Sequence, residues 1–187
     1  GSEGENDTSY ATVGNTTITV TDDAQVNVIF MGGRYSSAAE EVTLIYNSSN
    51  KMDRLSGISS SGIDNTESVV ELQSSLEVDG IDFVDKFIIN EGCKLEADIF
   101  YLGDRAADGG VSGVTEFNFV TDGWDTAEDW TAVAGLHDFT RAVFKFNGAE
   151  IAWDNDQALI AGDGYDFTIT RDADAGIVKL TAAVKKA

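Results

Sequence analysis

Short apolar runs separated by polar gaps recur along the whole chain. β-Branched and aromatic residues gather in Thr17–Val20, Val26–Phe30, Val42–Tyr46, Ser68–Leu72, Phe87–Ile89, Leu95–Tyr101, Glu116–Val120, Val143–Phe146, Tyr165–Thr170 and Ile177–Ala182. Asn, Asp, Gly and Ser fill the gaps, the pattern of many short strands. Tyr165, Phe167 and Ile169 alternate with polar residues, as on a half-buried strand. Asn147-Gly148, between Val143–Phe146 and Ala149–Trp153, predicts a hairpin because both turn residues tolerate positive φ. Trp124–Gly135 reads two ways. Thr126 with Asp129 resembles a capping box, Gly135 suits a C-cap, and Ala127, Trp130 and Ala134 have helical spacing, so a short helix is as well supported there as a strand.

The runs also repeat as units. Ile18, Leu44, Val70, Phe87, Phe117, Phe144 and Phe167 each open a strand that is followed by a polar turn and a second apolar stretch. The starts are spaced 26, 26, 17, 30, 27 and 23 residues, which fits constant strands joined by loops of variable length. Such units are too small to bury an apolar face alone, and stacking them builds one continuous core. The expectation is an all-β domain: a right-handed parallel β-helix of about seven short rungs spaced ~4.8 Å, roughly 30 Å long. Asp22, Ser48, Ser74 and Glu91 share one repeat position, so serines separate the acids in the stack. From about residue 142, the Asn147-Gly148 hairpin and the Asp172–Gly176 turn also suit antiparallel strands that cap the open end. A β-sandwich is the alternative architecture, since it too shows many short strands.

Composition narrows the partners. The chain has 187 residues, suited to a single β domain over 1–187, with Gly1–Tyr10 read as a flexible tag or leader. Lys plus Arg number 12 against 33 Asp plus Glu, a net charge of −21 that repels phosphate backbones and anionic lipid. Nucleic acid is therefore set aside as a partner. Membrane insertion is set aside too, because no run approaches the ~18 apolar residues of a spanning helix. One cysteine, Cys93, excludes an internal disulfide, and one histidine, His137, excludes the common zinc sets. There is no proline, so the turns rely on Gly, Asn and Asp.

The units Asn15-Thr-Thr-Ile-Thr-Val-Thr21 with Val26-Asn-Val-Ile-Phe-Met-Gly-Gly33, and later Asp166-Phe-Thr-Ile-Thr170 with Gly176-Ile-Val-Lys-Leu-Thr181, resemble bacterial autotransporter-like and adhesin-like passenger segments. That resemblance implies a parallel β-helix displayed outside the cell, secreted or held at the surface, facing a host or bacterial surface protein or glycan. Irregular unit lengths and the aromatic content after residue 117 depart from the pattern.

Four groups of residues offer chemistry. Asp122-Gly-Trp-Asp-Thr-Ala-Glu-Asp-Trp130 puts carboxylates beside rings: Trp124 and Trp130 to stack on sugars, Asp122 and Asp125 to accept hydroxyl hydrogen bonds, with Trp153 as a third platform, although large aromatics are more often buried and both tryptophans also suit the core. A carboxylate pair at ~5–10 Å would instead make a glycosidase. Asp154, Asp156 and Asp163, with Asp166, Asp172 and Asp174 nearby in sequence, offer oxygen ligands suited to calcium, although turn chemistry explains the same residues. His137-Asp138 has no Gly-x-Ser-x-Gly elbow before it, which argues against a triad. Cys93 has no evident partner base.

The function expected from these features is a non-enzymatic surface module, an adhesin-like stalk or ligand-presenting rod with no cofactor, calcium being the one candidate. A carbohydrate-binding module is the alternative, and a polysaccharide lyase or glycoside hydrolase the second alternative.

Overall fold

The computed structural model describes residues 15–22, 24–32, 40–58, 66–122, 128–161, 165–185 and 187. These are all-β, with no helix among them. In chain order the strands are β1 (Thr16–Thr21), β2 (Val28–Phe30), β3 (Glu40–Asn47), β4 (Met52–Ser56), β5 (Thr66–Leu72) and β6 (Leu76–Asp82). They continue as β7 (Lys86–Asn90), β8 (Leu95–Tyr101), β9 (Asp104–Arg105), β10 (Val111–Ser112), β11 (Thr115–Val120) and β12 (Trp130–Ala134). The last are β13 (Ala142–Phe146), β14 (Ala149–Glu150), β15 (Gln157–Ala161), β16 (Tyr165–Asp172) and β17 (Ile177–Lys185).

The strands alternate between two sheets, which makes a β-solenoid. The first sheet runs β1-β3-β5-β7-β11-β13-β14, parallel through β13, and the second runs β15-β16-β17-β12-β8-β6-β4-β2, parallel from β2 to β12. The repeat spacing predicts this register. Ile18 pairs with Leu44, Leu44 with Val70, Val70 with Phe87, Phe87 with Phe117 and Phe117 with Phe144, so six starts form one column. The column runs through the core. Its side chains beyond Ile18 are almost wholly buried, and Phe87, Phe117 and Phe144 stack with centroids 5.4 Å apart at each step.

The turn from the first sheet to the second is held by side chains that bond across turns. Ser48 N–H donates to Ser74 Oγ at 2.9 Å, and that hydroxyl donates to Ser48 O at 2.7 Å. Ser49 N–H reaches Asp22 Oδ1, Asn50 Nδ2 reaches Ala24 O, and Asn90 Nδ2 reaches Leu72 O. The column Asp22, Ser48, Ser74, Glu91 is therefore a stack of linked turns, and Glu91 accepts from Thr121 Oγ1 one turn further on.

Four expectations are corrected. The solenoid has about four turns, not seven. The seventh start, Phe167, lies in antiparallel β16, because period-two alternation is the same on parallel and antiparallel strands. Residues 130–134, given helical spacing by Trp130 and Ala134, form β12, whose edges pair with β8 and β17; the rest of that predicted helix lies largely outside the described residues. The antiparallel part is real but begins after β13, which is still a parallel rung. Asn147 (φ 46°) and Gly148 (φ 81°) turn β13 into β14, and β15–β17 extend the second sheet from β12.

A candidate ligand-binding groove beside strand β8

The second sheet is interrupted beside β8. Strand β12 pairs with β8 only at Leu95 and Glu96. At Gly135 (φ +86°) the backbone lies so close to the Ala97 carbonyl that a Cβ would overlap the oxygen, and the chain then leaves the sheet. Leu136 N–H is drawn to Gly176 O at 3.1 Å, and His137 Nδ1 lies 2.8 Å from Ala173 O. Beyond Glu96, no strand among the described residues pairs with β8 on that side.

The space left behind is a groove of about 460 Å3. Its floor is the outer part of β8, and Leu136, His137 and Asp138 form one wall. Val111 of the β9–β10 hairpin stands opposite. Arg141 fastens that hairpin, its guanidinium donating to Val111 O and Gly113 O, each at 3.0 Å. Large apolar side chains lie open here: Ile99 is 50% exposed, Tyr101 53% and Val111 40%. The Phe83 ring stacks on Tyr101 at 6.1 Å. Phe83 holds φ 51°, a left-handed conformation that disfavours a bulky residue. Its carbonyl sits against Gly57, where a Cβ would collide with it, and its N–H donates to Tyr101 O at 2.7 Å. The strain, of order 1–3 kcal/mol, is held at the groove rim.

Asp138 is fixed by Thr140, whose N–H donates to Oδ1 at 2.8 Å. Together the Thr140 hydroxyl, that amide and nearby Arg141 hold its carboxyl below the usual aspartate range. His137 meets a backbone carbonyl, not a carboxylate, in this bond, so it is not oriented as the base of a triad. Between β6 and β7, Asp85 accepts from Ser68 N–H at 2.6 Å and from Ser68 Oγ at 2.8 Å. Burial pushes its carboxyl up; the Ser68 bonds oppose this, and a hydrogen bond with Asp104 of β9 adds to it.

The residues singled out from sequence fall elsewhere. Trp124, Asp125 and Asp163 lie outside the described residues. Trp130 is 5% exposed, with its indole N–H donating to Cys93 O at 2.6 Å, so it offers no free ring face. Trp153 is half-buried against Phe144, and the Arg171 guanidinium covers its ring at 4.5 Å. Asp122 is exposed. Asp154 and Asp156 are exposed at a turn; Asp156 pairs with Arg171 at 2.8 Å and Asp154 accepts from Asn155. Among the described residues no three His, Cys, Asp or Glu side chains are grouped to hold a metal ion. Cys93 is buried, and burial raises its thiol pKa, which disfavours the reactive thiolate. A second cleft of about 480 Å3 lies along the serine turns, where several polar groups already bond across turns.

Fold and groove together define a β-solenoid with an interrupted second sheet. No protein-family model matches the chain, no curated protein matches it, and no solved structure matches it.

Proposed function

We propose that the protein is a non-enzymatic, ligand-presenting solenoid module that works outside the cell or at its surface, as an adhesin-like rod. The observation that supports this best is the pairing of a stiff stacked scaffold with one open, aromatic-rimmed groove beside β8. The bonds from Leu136 and His137 to the turn between β16 and β17, and from Arg141 to the β9–β10 hairpin, fix the groove walls, and rigid scaffolds present binding loops with little ordering cost. The negative surface keeps such a module soluble.

A carbohydrate ligand is a second reading, favoured by Tyr101, an exposed ring with Asp98 and Asp138 beside it. The tryptophans need not be its platforms.

The test is binding of the purified chain to a glycan array and to a panel of extracellular proteins, with and without calcium. Reproducible binding that falls at least tenfold in Tyr101→Ala, with Thr17→Ala unchanged, is expected. Turnover of a polysaccharide, abolished by one carboxylate substitution, would replace this reading with an enzyme.

A further inference from the structure

The groove is bounded by backbone as well as by side chains, and this bears on what it holds. An edge strand carries a row of main-chain donors and acceptors that seek a partner strand. On β8 that edge runs from Asp98 to Tyr101, beyond Ala97, whose carbonyl Gly135 covers before the chain leaves the sheet. At about 3.3 Å per residue it offers roughly 13 Å of pairing surface. Saccharides lack the regular amide spacing that would satisfy such an edge, whereas an extended peptide has it and adds as a further strand.

Charge selects among peptides. Asp98 lies on the open edge, exposed and without an ion-pair partner among the described residues. In the stack it follows Asp53 and Asp79, both exposed. Asp138 stands on the wall. Arg141 lines the groove, but its guanidinium is engaged by the Val111 and Gly113 carbonyls. A second copy of this chain, at −21, is repelled.

We infer that the groove captures an extended, cationic peptide segment, which pairs main chain to main chain with Asp98–Tyr101, lays alternate apolar side chains against Ile99 and Tyr101, and sets a Lys or Arg against Asp98. This rests on the ligand-presenting reading above and names its ligand class.

The experiment uses three nine-residue peptides: Val and Thr alternating with Lys, the same with Glu for Lys, and the Lys peptide N-methylated at alternate amides. Affinities are measured by titration calorimetry, and amide hydrogen exchange is followed residue by residue. The Lys peptide is expected to bind at least tenfold more tightly than either of the others. Exchange should slow at least tenfold for amides within Asp98–Tyr101. Asp98→Lys, which lies at the surface and whose fold is checked by circular dichroism, should weaken the Lys peptide at least tenfold. Equal binding of the three peptides, protection elsewhere or no peptide binding would overturn the inference. Glycan binding lost in Tyr101→Ala, without peptide binding, would overturn it too while leaving the surface-module reading intact; polysaccharide turnover would remove that reading instead.

Discussion

Asp85 sits where burial and a second carboxyl, that of Asp104, both oppose its charge. The folded protein holds this proton more tightly than the unfolded chain. The stabilisation is full below the ordinary aspartate pKa of about 4 and is lost as pH rises through the raised folded value. Asp85→Asn keeps an acceptor for Ser68 and offers Asp104 a donor at every pH. Its urea stability should therefore fall less than that of the parent between pH 4 and neutrality. Parallel pH curves for the two proteins would refute the assignment. At this scale the sequence was least informative. Trp130, in an acidic run, suited a sugar platform or the core, and the structure takes the second: its large ring is drawn inside and its N–H finds Cys93 O. Nothing in the local sequence tells a buried tryptophan from an open one. Ile99 and Tyr101, which are open, read as ordinary core residues of a strand.

At the scale of strands and turns, spacing carried most of the information. Six of the repeat starts pair in one column, because unequal loops leave the strand register untouched. The groove had only an indirect signal: a glycine, Gly135, closing a five-residue strand, β12, beside the longer β8. The mismatch of lengths becomes visible only once the two strands are known to be neighbours. The turn stack gives a sharp expectation. Ser74→Ala removes the donor to Ser48 O and the acceptor for Ser48 N–H, and Ser48 is only 1% exposed. It should cost about 1–3 kcal/mol, read from the urea midpoint, since a buried polar group is left unpaired. Phe117→Ala breaks the middle of the aromatic column and should cost about 3–5 kcal/mol.

For the whole molecule, charge is the term most open to solution conditions. Asp53, Asp79 and Asp98 repeat along the axis at the surface, and Lys51 reaches only part of this charge, through Asp79 at 2.7 Å and Glu77 at 3.2 Å. Exposed pairs of this kind contribute about 0–1 kcal/mol. Repulsion should therefore outweigh them, and the thermal midpoint is expected to rise when sodium chloride is raised from ~0.01 to ~0.15 M, where the screening length shrinks from about 30 to 8 Å. A fall in the midpoint would mean that the ion pairs dominate.

The direction of the inter-turn bonds has a mechanical consequence. In the parallel solenoid they run along the axis, so tension applied at β1 against the β12 end meets them one turn after another, not all at once. Each turn of 26 residues that lets go adds at most about 90 Å of chain. Under load the molecule should lengthen in a staircase of small yields, dissipating work at each step while the remaining turns, and the groove beside β8, keep their shape.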